Sequence, residues 1–293
     1  MSTRRDDTTP VLTWHGAADE PAGLWERVSG LSWLAESPRV VLQIGARDRS
    51  PLVVATAGSL VRFLQERHPQ ARIELLDPEG RYADWTAQGV LPIGDGESIQ
   101  VSGIAAAELA IPRLWFEAFT LITIAHCVPC PRSRLAGILE AQAEPLRRLR
   151  NRHDAAVLAY EAHRLAPSDL AVACGTTRRS DRHSDRWWAV GPSDVGVESV
   201  VAAAAGVSPV RLPVLRAVAR HERVAALEPL GESLPALDGY LAPAWHVSAN
   251  AAREHIAGAA RGALRDAVVV RRNLGKIPGF VRRKLASRAR GAA

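Results

Sequence analysis

Cys127 and Cys130 form a C-x-x-C in the run FTLITIAHCVPCPRSR, with His126 before the pair and Pro131 behind it. About forty-five residues on, DLAVACG carries Cys174 near its end. A C-x-x-C turn can place two sulfurs on one metal, and thiolates select zinc or an iron–sulfur cluster. Cys174 as third ligand and His126 or His183 as fourth would complete a Cys3His-like centre. The pattern is half of the usual double C-x-x-C. Two other readings fit the same residues. One is thiol redox chemistry through Cys127 and Cys130. The other is no chemistry at all, the thiols being small buried hydrophobes beside a turn.

A second group is acidic. Asp194 and Glu198 are four apart, so they share one face of a helix. Carboxylates there could bind a cation or act as a base. In the simpler alternative Asp194 complements the helix dipole and Glu198 is solvated or paired with an arginine. The third group is the loop ARDRSP, residues 46–51, between a strand and a helix. That geometry can hold a phosphate or carboxylate at the helix N-terminus, through Arg47, Arg49 and Ser50. The charged run RRSDRHSDR reads as a solvated loop, or as a cover for a site. The chain has no G-x-G-x-x-G, Walker A, nucleophile elbow, H-E-x-x-H or kinase signature.

The elements that must position these residues follow from the apolar pattern. RVVLQIGA (39–46), RIELLD (72–77), FTLITIA (119–125), DLAVACG (169–175) and WWAV read as strands. Helices are expected over 21–35, 53–66, 134–164, 211–227 and 250–272. Ser193 caps another that ends at Gly206 and Pro209. The first strand, helix and second strand have parallel βαβ spacing, and all three cysteines then follow strand ends. Open α/β sheets bind ligands outside the carboxyl ends of their strands. The expected fold is therefore α/β: a central, mostly parallel sheet flanked by helices, with a C-terminal helical extension. Its parts are a poorly ordered N-terminus (1–20), an α/β domain (21–249), and a C-terminal helix with a basic tail (250–293).

The chain has 293 residues, enough to bury a sizeable core. Its net charge is +6, yet residues 261–290 hold ten Arg or Lys and one acid. The basic balance thus belongs to the tail and not to the body. Residues 276–293 mix Ile277, Phe280, Val281 and Leu285 with arginines, a composition that could lie on an anionic membrane surface. There is no nucleic-acid reading element, so nucleic acid is not an expected partner. There is no apolar run of about 20 residues and no apolar leader, so a cytoplasmic protein is expected.

The stretch WWAVGPSDVGVESVVAAAAGVSPVRLPVLRAVA, residues 187–219, resembles the recurring signature of domain of unknown function family 362. Gly191, Glu198, Gly206, Pro209 and Leu212 to Leu215 follow its order. VVLQIGARDRSPLVVATAGSLVRFL resembles the family's first strand, loop and helix, and FTLITIAHCVPCPRSRLAGILEAQAEPLRR its central strand, basic loop and helix. The chain departs from the family at Gln43-Ile44-Gly45, where Lys-Pro-Asn is usual, and at Ser193. Three cysteines cannot hold the two-cluster ferredoxin module that many relatives carry. The resemblance implies a cytoplasmic, enzyme-like protein of a bacterial biosynthetic pathway for a specialised metabolite or surface glycan, acting on a small molecule. Its candidate catalytic residues are Arg47, Asp194 and Glu198. The candidate ligands for zinc or an iron–sulfur cluster are Cys127, Cys130, Cys174 and His126. The competing expectation is a non-catalytic accessory protein, docked through its tail on a pathway partner or peripherally on the inner membrane surface.

Overall fold

Runs of apolar and β-branched residues form the centre of one eight-stranded sheet in the computed structural model. The structure describes residues 8–16, 23–29, 39–45, 50–77, 83–94, 96–106, 108–117, 119–130, 134–149, 151, 153–177, 186–221, 226–231, 234, 235 and 237. All of them lie in the unit Met1–Pro243; the second unit, Ala244–Ala293, lies outside them, as do the expected 250–272 helix and basic tail.

In chain order the elements are β1 (Thr8–Gly16), α1 (Leu24–Ser29), β2 (Arg39–Ile44), α2 (Pro51–Arg67), β3 (Arg72–Leu76), β4 (Leu91–Ile93), β5 (Ser98–Val101), β6 (Leu109–Pro112), β7 (Thr120–His126), β8 (Val128–Cys130), β9 (Arg134–Ala136), α3 (Ile138–Gln142), α4 (Glu144–Arg148), α5 (Ala155–Leu165), β10 (Leu170–Thr176), β11 (Arg186–Gly191), α6 (Asp194–Ala204), α7 (Pro213–His221) and β12 (Ala226–Gly231). The main sheet has the order β12-β1-β11-β10-β7-β2-β3-β4, and β5–β6 and β8–β9 are separate hairpins. Every neighbouring pair is parallel except the two that β11 makes, with β1 and with β10. The chain is thus an α/β protein with a mostly parallel sheet and one reversed strand. Thr8–Gly16, inside the segment expected to be poorly ordered, is a strand between β11 and β12.

Alternation along the strands divides the core between the two faces of the sheet. Val40, Leu42 and Ile44 of β2, Ile122 and Ile124 of β7, Val172 and Cys174 of β10 and Trp188 of β11 pack with α1 and α2. Val41, Leu121, Ala125, Ala171, Ala173, Trp187 and Ala189 face α3, α5, α6 and α7. The adjacent pair Trp187 and Trp188, both fully buried, therefore anchors both layers. Trp188 Nε1 donates to Thr56 Oγ1 of α2 at 3.0 Å, so its polar end is satisfied inside the core.

The alanines on the second face leave room for a helix to sit close to the strands, and α3 fills it: all five of its residues are buried. The helical region expected over 134–164, with a break near Asn151, is the strand β9 and three helices, and Asn151 does lie in the break between α4 and α5. Only Ala143 separates α3 from α4, whose first turn carries Pro145, and Asn151 closes the gap before α5 by donating to the carbonyls of Leu146 (2.8 Å) and Ala110 (2.7 Å).

Candidate functional site

β2 and β7 lie side by side and run parallel, but the chain leaves them in opposite directions. From β2 it passes through α2 on one face to β3. From β7 it passes through α3, α4 and α5 to β10, α3 and α5 packing on the other face. The strand order therefore reverses between them, and the connections diverge from their carboxyl ends. Such a switch point is where doubly wound sheets bind ligands. Pairing runs to its rim, where Gly45 N donates to Ile124 O at 3.1 Å. Arg47 and Arg49 fall between Gly45 and Ser50 in sequence and lie outside the described residues. Ser50 N-caps α2 without a side-chain capping bond, and the first turn of this 17-residue helix has no acid to offset its dipole.

His126 ends β7 at the same rim and is partly buried. Desolvation holds its imidazole below the ordinary histidine value. At neutral pH the ring is thus uncharged, and an uncharged ring can take a proton or bind a metal.

The cysteines start at this rim but point inward. Cys127 N donates to Cys174 O at 2.8 Å, so the two backbones touch. Their side chains do not share a site: Cys127 belongs to the core under α3, and Cys174 to the core under α2. None of the three thiols forms a disulfide, and all are buried. Cys174 Sγ donates to Ala125 O at 3.6 Å, and Cys130 Sγ to Glu140 Oε1 at 3.8 Å. Among the described residues no three His, Cys, Asp or Glu side chains gather as a metal-ligand set. His183 lies outside them.

Asp194 and Glu198 are elsewhere. Because β11 is reversed, its last residue, Gly191, pairs with Ala171 at the start of β10. Asp194 therefore begins α6 at the amino edge of the parallel strands, across the sheet from His126. Asp194 thus does not share a rim with His126, and Arg47 lies outside the described residues. Asp194 instead ties three segments together: its Oδ2 accepts from Gln142 Nε2 (2.7 Å), Ser168 N (3.1 Å) and His163 Nδ1 (3.1 Å). Gln142 Nε2 also reaches Ser168 Oγ at 2.9 Å, and Ser168 Oγ meets Thr123 Oγ1 at 2.6 Å. The expected cap is present, with Ser193 Oγ accepting from Gly196 N at 3.1 Å.

Glu198 lies one turn along α6 and closes the start of α3. Its Oε2 accepts from Leu139 N at 3.0 Å. A Cβ on Gly137 would stand 2.6 Å from that oxygen, so any larger residue here must displace the carboxyl. Burial, then the nearby carboxylates of Glu140 and Asp194, push the Glu198 carboxyl up to about 8, against the pull of the Leu139 amide. Glu140 in turn accepts from Arg147 Nη1 at 3.3 Å.

Sequence reasoning missed Gln43, Glu140, Gln142, His163 and Ser168. Their signal was present: Gln43 interrupts an apolar strand, and Glu140 and Gln142 interrupt the apolar run around AGILEAQA. Polar residues on a buried face must find partners, so they mark a network.

No family model matches the chain, and no curated protein matches it. Among solved structures it is similar to a protein from Thermotoga maritima, at 14% identity over 55% of this chain and 52% of that one, with a TM-score of 0.38. It is also similar to the lactate racemase apoprotein from Thermoanaerobacterium thermosaccharolyticum, at 12% identity over 52% of this chain and 46% of that one, with a TM-score of 0.35. The chain thus spans about half the length of each of these structures. No described helix is long and apolar enough to cross a membrane.

Proposed function

We propose that the chain is a cytoplasmic, enzyme-like protein of the kind that domain of unknown function family 362 groups together. In this reading it serves a bacterial biosynthetic pathway and acts on a small anionic molecule at the β2/β7 switch point. The observation that carries the proposal is the reversal of strand order beside His126, with an uncapped Ser50 hydroxyl opening α2 on the neighbouring strand's connection. Arg47, with Arg49, takes the anion, and the uncharged imidazole of His126 accepts a proton from the bound molecule. Asp194 and Glu198 are positioning residues here: they hold α3, which follows the Cys130 hairpin, against the sheet.

The test is calorimetric titration of the full chain with inorganic phosphate and with acetate. We expect millimolar or tighter binding of one of them, weakened at least about ten-fold by Arg47→Ser with Arg49→Ser. Equal binding by the variant, or none by the wild type, removes the anion site.

A second reading rests on charge. The concentration of ten basic residues in 261–290 fits an accessory protein that docks on an anionic membrane or a partner. Deleting 276–293 separates the two, because anion binding survives the deletion only in the first.

A further inference from the structure

Glu198 puts a titratable group where a plain cap would do. The start of α3 needs an acceptor for Leu139 N, and Glu198 Oε2 supplies it at 3.0 Å. A glutamine oxygen would accept the same bond and hold no proton. The chain instead sets a buried acid there, with the carboxylates of Glu140 and Asp194 facing it. Glu140 is shared with Cys130 Sγ and Arg147 Nη1, and Asp194 with His163 Nδ1. The strands and helix packed against α6 turn apolar residues to it: Val11 of β1, Ala171 and Ala173 of β10, Trp187 and Ala189 of β11, and Leu215 of α7. The basic groups of α7 and of the turn before it, Arg211, Arg216, Arg220 and His221, are exposed.

The carboxyl gains no water while this segment is closed. Both of its oxygens lie within 3.3 Å of where a Gly137 Cβ would stand, so it is packed on the Gly137 backbone. Burial is the main cause that holds its proton, so opening relieves the ionised form. The segment that has to move is held by little else. β8 and β9 pair over three residues and, among the described strands, only with each other. α3 has five residues, too few to persist by its own bonds. Its far end is anchored separately, Gln142 to Asp194 and Ala141 O to Gln43 Nε2. Opening therefore moves the start of α3 and spares its end. It uncovers Cys130 and Leu135, both buried when closed.

We propose that Glu198 is a proton-operated latch on the start of α3. Protonated, it keeps 135–139 and the β8–β9 hairpin closed over Cys130; when its proton passes to solvent, that segment opens locally while the sheet stays folded. The open form gains up to about ten-fold in population per pH unit, from the ordinary carboxylate range to about 8, and no more above it. The latch is independent of the anion site.

Hydrogen exchange of the full chain at pH 6, 7, 8 and 9, with times scaled for the intrinsic pH dependence of amide exchange, tests it. We expect 135–142 to exchange faster than 120–126 and 170–176, and its protection to fall at least about ten-fold between pH 6 and pH 8. In Glu198→Gln the protection of 135–142 stays constant across that range. Should Glu198→Gln fail to fold, infrared titration of the wild type decides. A protonated-carboxyl band that disappears in step with the loss of protection supports the latch, and its absence at pH 6 overturns it. Protection of 135–142 that does not change with pH in the wild type overturns the proposal. Exchange of 135–142 no faster than that of the two strands overturns it too, because the opening is then global. A pH-dependent loss that persists in folded Glu198→Gln assigns the effect to another group and has the same consequence.

Discussion

Glu198→Gln should make the protein more stable, and more so as pH rises. Glu198 is buried, and its carboxyl is held up from 4.5 to about 8. Between those values the folded state keeps a proton that the unfolded chain has released. Stability therefore falls as pH rises through this window and levels off above about 8. The slope for one such group is about 1.4 kcal/mol per pH unit, which amounts to about 5 kcal/mol across the whole window. Local relaxation and water penetration reduce such penalties, so about 2 kcal/mol between pH 5 and pH 8 is the smaller figure the argument requires. Glutamine keeps an oxygen for Leu139 N and carries no charge toward Glu140 or Asp194. Its stability should match wild type near pH 5 and exceed it by 2 kcal/mol or more, in rough terms, at pH 8. Urea unfolding followed by tryptophan fluorescence at pH 5, 6, 7, 8 and 9 measures this. Every other group is common to both proteins, so the difference between the two curves isolates Glu198. Parallel curves would refute the reasoning, and so would a variant that loses stability at every pH.

Two further outcomes follow from the packing around this carboxyl and around the thiols. Gly137→Ala sets a methyl 2.6 Å from Glu198 Oε2 and should cost about 1–3 kcal/mol. In the Glu198→Ala background the same change should cost much less, and a double-mutant cycle by urea unfolding reads the coupling. Cys127, Cys130 and Cys174 should react with an aromatic disulfide reagent only as fast as the protein opens, with three thiols appearing in denaturant. A thiol that reacts in the native protein at the rate of a small free thiol reinstates the redox reading.

Much of the sheet was legible because buried parallel strands write themselves as continuous apolar runs. RVVLQI, RIELL, TLITIAH and LAVACGT form strands within two residues of where their patterns place them. Strand direction was harder, since alternation is the same in either sense. One clue lay in length. The connection from Thr176 to Arg186, residues 177–185, is shorter than the dozen or so residues a parallel crossover needs. That alone argues for a reversed β11. The break-up of 134–164 was less legible, because β9, α3 and α4 are each too short to show a period. β1 was missed because Thr8–Gly16 mixes polar residues with a few apolar ones, as strands near a sheet edge do.

The reversed strand also decides what the acidic signature does. Had β11 run with its neighbours, Asp194 would have opened α6 at the same rim as His126 and the β2 loop, within reach of a ligand. Reversal carries it to the far edge, where Oδ2 collects three donors from β10's lead-in, α3 and α5. Since α6 then runs back across the sheet, the four-residue spacing to Glu198 spans the second face of the sheet instead of lining one pocket. Asp194 meets the C-terminal end of α3 and Glu198 meets its N-terminal end. A five-residue helix cannot hold itself together by its own hydrogen bonds. Two carboxyls at the spacing of one helical turn on α6 supply what it lacks, and α3 in turn carries Glu140 to Cys130. On this sheet the pair thus holds both ends of α3, the helix that follows the β8–β9 hairpin.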